Sequence, residues 1–128
     1  CIRDRAWATM VLPMASFDET TDLIRLVAHS GTTADALLQR DLIDKLDVSE
    51  DLRKVRAPTL VIHARMCAIH PVAEGRKIAA SIPGAEFLEV DSSNTFFVAS
   101  DPALDRVLGA MLGFLDQDSD SGPQPRTA

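Results

Sequence analysis

The sequence predicts an α/β protein with a parallel sheet, and three observations carry that prediction. Two short apolar runs rich in β-branched or aromatic residues lie at Thr59–His63 and Glu86–Val90. A segment with apolar residues at helical spacing separates them, and another such segment follows the second run. Strands that alternate with helices in this order are typical of parallel sheets with right-handed crossovers.

The front of the chain, residues 1–46, is predicted to be helical, with no strand signal. Ser16 and Glu19 have the spacing of a capping box ahead of an apolar stretch, and Ser30-Gly31 would end that helix. A second helix is expected over Ala34–Leu46, because its leucines recur on one side.

Residues 47–115 are predicted to form a βαβα unit. The first apolar run suits a strand buried on both faces of a parallel sheet. A helix is expected over Val72–Ile82, and the turn Pro83-Gly84 precedes the second strand. Asp101-Pro102 supplies an N-cap and a proline at the first helical position of a last amphipathic helix, which is expected to end near Leu115.

The two ends of the chain carry further expectations. Residues 116–128 are nearly devoid of apolar side chains and are predicted to be a disordered tail or linker. Two parallel strands leave sheet edges unpaired, so the remaining strands are expected from sequence upstream of Cys1 or from another chain. A first residue that is Cys rather than Met fits an excerpt of a longer protein.

Composition excludes several classes of function. The 128 residues carry 13 Lys and Arg against 19 Asp and Glu, a formal charge of −6, so direct binding to nucleic acid is not expected. A hydrophobic content of 46% argues against disorder throughout, and no stretch reads as a membrane span. Two cysteines cannot build a disulfide framework, which favours a cytoplasmic setting. No pattern predicts a cofactor.

The stretch from Asp47 to Leu115 resembles the C-terminal third of α/β-hydrolase-fold proteins. The shared features occur in the family's order: APTLVIHA leading into a strand, a helix after a proline, the phrase IPGA, a last strand, the loop SSN and a closing helix begun by DP. The resemblance implies that residues 1–46 are the end of a lid or cap, and that the ligand or substrate is a small molecule.

The resemblance also assigns two positions that should carry chemistry. Cys67 falls where the family has the acid that orients the catalytic histidine, and Thr95 falls where it has that histidine. Threonine has no group that titrates near neutrality, and a neutral thiol cannot hold an imidazolium as a carboxylate does. The nucleophile string Gly-x-Ser-x-Gly does not occur in the sequence. We therefore expect the chain as written to be catalytically silent.

Cys67 and the histidines near it allow other interpretations. Cys67 could be a reactive thiol served by His63 or His70, although a free cysteine is commonly a small buried hydrophobic residue. The same three side chains could bind a metal, whereas the simpler expectation is that His63 is packed and hydrogen-bonded and that no metal is bound.

Three further residues have both a functional and a structural interpretation. Asp91 could be a substitute acid or a solvated turn residue. Trp7 in the lid and Phe96 beside Thr95 could contact a ligand, and each could equally pack against the protein.

Three functions follow from these expectations. The first is a silent hydrolase-type domain kept for ligand binding or regulation. The second is an ester or acyl hydrolase that is active in a full-length form. The third is a non-enzymatic interaction module.

Overall fold

The computed structural model describes residues 2–120, and this part of the chain contains six helices and two strands. None of these helices is long and apolar enough to cross a bilayer. The elements in chain order are α1 (Ile2–Val11), α2 (Phe17–Ser30), α3 (Thr33–Ile43), α4 (Ser49–Leu52), β1 (Leu60–Ala64), α5 (Val72–Ser81), β2 (Glu86–Val90) and α6 (Leu104–Asp120).

The two strands form a parallel pair, which confirms the predicted α/β class. Leu60 pairs with Glu86, and Ala64 pairs with Val90 at the other end. β1 lies one residue later than predicted. Most of β1 is half-buried, not buried on both faces as predicted, because it has a single neighbouring strand within residues 2–120. Most of β2 is half-buried as well.

Helices cover both faces of this small sheet. Gly75 of α5 lies against the ring of His63 on one face. The residue before it in β1, Ile62, packs against the core cluster of the other face, to which α6 contributes Val107. Successive side chains of a strand point to opposite faces, so α5 and α6 sandwich the sheet. The buried members of that cluster are Val90, Ala103 and Val107.

The helical front of the chain forms as predicted, but much of it is exposed. Ser16 and Glu19 make the predicted capping box of α2, and α2 ends at Ser30. α3 covers most of the predicted second helix and has a capping box of its own, from Thr32. None of its residues is buried, so no element described here covers the leucines of α3.

The closing helix is longer than its apolar pattern. Asp101 caps the turn before it, since its Oδ1 accepts a hydrogen bond from the Ala103 amide at 2.9 Å. The first helical residue is Leu104, not Pro102, and the helix continues past Leu115 to Asp120. Residues 116–120 of the predicted tail are therefore helical, because propagating a formed helix by one turn needs no buried face. The rest of that tail lies outside the described residues.

Gly75 is needed where α5 approaches β1. A Cβ atom at this position would lie 2.6 Å from Cδ2 of His63, which is closer than carbon atoms approach without movement. We expect Gly75→Ala to lower the free energy of unfolding by about 1 to 3 kcal/mol. The matched control is Gly109→Ala in α6, where an added Cβ meets nothing within 4 Å. It should raise stability by roughly 0.5 kcal/mol through helix propensity.

Urea unfolding followed by circular dichroism measures both variants. Equal stability changes for the two glycine substitutions would contradict the close packing of α5 on His63.

Candidate functional site

A cleft of about 410 Å³ opens at the carboxyl end of β1, between that strand and the start of α5. The carboxyl ends of parallel strands are where ligands bind in open α/β sheets. Its walls are mainly apolar, with a few polar groups at one end. The residues that line the cleft include Ile62, His63, Cys67, His70, Ile78, Thr95 and Phe97.

Cys67 and Thr95 meet in this cleft. The Cys67 Sγ lies 3.4 Å from the Thr95 Oγ1, within hydrogen-bonding distance for sulfur, although the residues are 28 positions apart in the chain. Cys67 follows the end of β1, and Thr95 lies in the loop after β2. The two positions that the sequence singles out are therefore neighbours, while their assignment to the acid and the histidine stays a prediction.

The surroundings of Cys67 favour its thiolate. Burial raises the pKa of the Cys67 thiol, but hydrogen bonds from the Thr95 hydroxyl and from the backbone of His70 and Ile69 outweigh burial and hold that pKa below its ordinary value. The nearby cation, Arg65, is engaged elsewhere, with its Nε 2.7 Å from Glu89. Hydrogen bonds, and not a positive charge, are thus the cause of the shift.

His63 and Cys67 have separate hydrogen-bond partners. His63 Nδ1 lies 2.8 Å from the carbonyl oxygen of Ala64, so this nitrogen is taken up by the backbone. Within residues 2–120, the side-chain hydrogen bond of the Cys67 sulfur is to the Thr95 hydroxyl. No group of three His, Cys, Asp or Glu side chains suited to a metal ion occurs in that same part of the chain.

A buried polar network underlies the loop that carries Thr95. The Asp101 Oδ2 accepts hydrogen bonds from the Ser92 hydroxyl at 2.6 Å and from the Asn94 amide at 2.8 Å. Ser92 and Asn94 are fully buried, and Asp101 is 3% exposed. Burial alone would raise the pKa of Asp101, but the donated hydrogen bonds, including one from the Ala103 amide, hold it below its ordinary value. The network keeps a charged group in the interior.

The same loop is hydrogen-bonded to α1 and to the segments that flank α2. The Thr95 amide donates to the Val11 carbonyl at 2.7 Å, and the Met14 amide donates to the Asn94 Oδ1 at 2.9 Å. Glu19, the capping-box residue of α2, also accepts hydrogen bonds from both the amide and the hydroxyl of Ser100. These hydrogen bonds and those from Ser16 lower the pKa of Glu19 to about 2. The α1–α2 turn and the Thr95 loop therefore form one connected unit.

The other predicted site residues lie away from the cleft. Phe96 is 53% exposed and Trp7 is 38% exposed, and neither lines the cleft. Phe97 lines it instead, because the inward position of the loop falls one residue later. Asp91 is exposed, with an oxygen 3.8 Å from Arg65. It occupies a solvated turn.

Sequence reasoning missed two parts of the site. The sequence predicts Asp101 only as a helix cap, and the SSN string enters only through the family resemblance. Neither observation predicts that Ser92 and Asn94 hydrogen-bond to Asp101. A run of small polar residues followed by Asp-Pro is the signal that could have indicated it. No local signal in the sequence marks the contact of Gly75 with His63.

The order and pairing of these elements give an α/β-hydrolase-like fold. A crystal structure of the enol-lactonase from Burkholderia xenovorans LB400 is similar, with a TM-score of 0.68 and 23% sequence identity. The match covers 88% of this chain and 45% of the enol-lactonase chain, so this chain spans less than half of that protein's length. No family model and no curated protein matches the sequence. The similarity establishes the fold.

Proposed function

We propose that this chain is the C-terminal part of an α/β-hydrolase-type protein that is catalytically silent and binds a small ligand in the Cys67–Thr95 cleft. The observation that carries the proposal is the 3.4 Å contact between the Cys67 sulfur and the Thr95 oxygen. In a hydrolase of this fold a carboxylate and an imidazole would meet at such a place. A thiol and a hydroxyl can donate and accept hydrogen bonds, but they cannot move a proton from a serine at neutral pH.

The cleft itself supports binding. A volume of about 410 Å³ is within the range of small-molecule sites. Ile78 and Phe97 offer apolar contacts, while Cys67 and Thr95 offer polar ones. The similar solved structure is an enol-lactonase, so we propose a small lactone or ester-like compound as the ligand class.

The test is titration of the full-length protein with a small enol-lactone, measured by calorimetry, with release of the ring-opened acid followed in parallel. We expect saturable binding without turnover. Ile78→Trp should fill the cleft and weaken binding at least tenfold. Ala80→Trp, an exposed change on the same helix, should leave binding intact.

Two other outcomes would contradict the proposal. Turnover that persists in purified protein would contradict the silent assignment and favour the active ester or acyl hydrolase. Equal binding to the Ile78 and Ala80 variants would place the ligand outside the cleft.

A second candidate function, an interaction module, is favoured by the exposed apolar surface of α6. Within residues 2–120, β1 pairs only with β2. Beside β1 a groove of about 210 Å³ is lined by residues that include Met111, Phe114 and Leu115. Leu112 on the same helix is 63% exposed. We propose that further strands, from upstream sequence or from another chain, cover this surface.

Sedimentation velocity tests the interaction module on this chain alone. Self-association that Leu112→Glu abolishes, and that Asp105→Lys leaves unchanged, would support it. A chain that stays monomeric at all concentrations would contradict the interaction module, and the apolar surface of α6 would then be covered by other segments of a longer protein.

A further inference from the structure

We propose that Asp101 is the positioning residue of the cleft, since its buried carboxylate holds the loop that sets the Thr95 hydroxyl against the Cys67 sulfur. The inference rests on the proposed function in one respect, which is that Cys67 and Thr95 lie in the proposed ligand cleft. It concerns the conformation of the loop that carries Thr95, and its test needs no ligand.

The first step is the anchoring of the loop on Asp101. Its two carboxylate oxygens accept hydrogen bonds from Ser92 at 2.6 Å, Asn94 at 2.8 Å and the Ala103 amide at 2.9 Å. The Asn94 backbone N–H also donates to the Ser92 hydroxyl at 3.0 Å, which folds residues 92–94 around the carboxylate. Hydrogen bonds to a charged acceptor are stronger than neutral ones, so this carboxylate sets the path of the loop.

The second step is the transfer of this constraint to Thr95. Asn94 precedes Thr95 directly, and its side chain is held on both sides, by Asp101 and by the Met14 amide at 2.9 Å. The Thr95 amide is itself fixed on the Val11 carbonyl at 2.7 Å. Thr95 is thereby placed by groups on either side of it, and its hydroxyl reaches the Cys67 sulfur.

The thiol of Cys67 provides the readout. The Thr95 hydroxyl stabilises the thiolate, as do the backbone hydrogen bonds from Ile69 and His70. Titratable or charged groups that line the same cleft are His63 of β1, His70 of the turn and Glu74 of α5. These groups are unchanged in every variant below, so differences between variants report the Thr95 contact.

The experiment measures the rate of alkylation of Cys67 by iodoacetamide between pH 5 and 10. Cys1→Ser serves as the background because the sequence holds two cysteines. Thr95→Ala is expected to move the midpoint of the profile to higher pH and to slow alkylation at pH 7 roughly two- to threefold, since a more basic thiolate partly offsets its lower population. Thr95→Ser should restore the unmodified profile.

Asp101→Asn should shift the midpoint in the same direction as Thr95→Ala. Combining the two substitutions should add nothing beyond Thr95→Ala alone. The matched control is Asp105→Asn, an exposed residue at the start of α6, which should leave the profile unchanged.

An Asp101→Asn profile equal to that of the Asp105→Asn control would overturn the proposal, as would full additivity with Thr95→Ala. Circular dichroism verifies that each variant is folded. If Asp101→Asn does not fold, Ser92→Ala replaces it, because that change removes one donor and keeps the carboxylate. Ligand binding is measured separately, so a failure here is distinguishable from a failure of the proposed function.

Discussion

Replacing Cys67 by Asp and Thr95 by His together in the full-length protein is expected to raise the hydrolysis of activated esters by roughly 100-fold or more. The two side chains already meet at 3.4 Å, so a carboxylate and an imidazole placed there would be within reach of each other. A carboxylate that fixes the tautomer and stabilises the imidazolium makes the histidine a competent base. The loop needs no rebuilding, because Asn94 and Asp101 hold it independently of residue 95.

The full-length protein is required because no Gly-x-Ser-x-Gly string occurs in this chain. Release of 4-nitrophenol from a short-chain ester measures the gain. Cys67→Asp alone should give no gain, since a carboxylate without an imidazole has nothing to orient. Cys67→Asp with Phe96→His is the matched control, because it places the imidazole one residue along, on an exposed position outside the cleft. If the double variant is no faster than the unmodified protein, the acid and histidine positions are assigned wrongly.

Local patterns were sufficient to predict most of the fold. The βαβα order, the capping box at Ser16 and Glu19 and the span of β2 follow from signals that lie within a few residues of one another. The predicted end of the last helix near Leu115 is wrong. The helix α6 continues beyond Leu115 because its backbone hydrogen bonds do not require apolar side chains.

The candidate site could be predicted only in part, for a physical reason. The resemblance to the α/β-hydrolase fold indicated Cys67 and Thr95, because it aligns the segments that follow the two strands with the family's acid and histidine positions. Which neighbouring side chain faces the cleft depends on the twist of the loop, and this is why Phe97 and not Phe96 lines it. The side-chain partners of Asp101 lie seven and nine positions before it in the sequence, and no periodic pattern connects them.

Asp101→Ala is expected to lower the free energy of unfolding by roughly 2 to 4 kcal/mol. The substitution leaves the Ser92 hydroxyl, the Asn94 amide and the Ala103 amide without their acceptor in the interior. Unsatisfied buried donors cost their full desolvation, and a loss of this size is a large fraction of the stability of a small domain. Asp105→Ala removes a charge from an exposed position of α6 and should change stability by less than about 0.5 kcal/mol.

The stability difference between unmodified protein and Asp101→Ala should also depend on pH. The pKa of Asp101 in the folded protein lies below its ordinary value of 3.8. A depressed carboxyl pKa contributes stability that is fully present above the unfolded value and is lost as pH falls through the folded one. The difference should therefore be constant from pH 7 to about pH 5 and should shrink below pH 3.8. Urea unfolding at each pH measures it, and a difference that grows on acidification would show that the pKa of Asp101 is raised, not lowered, in the folded protein.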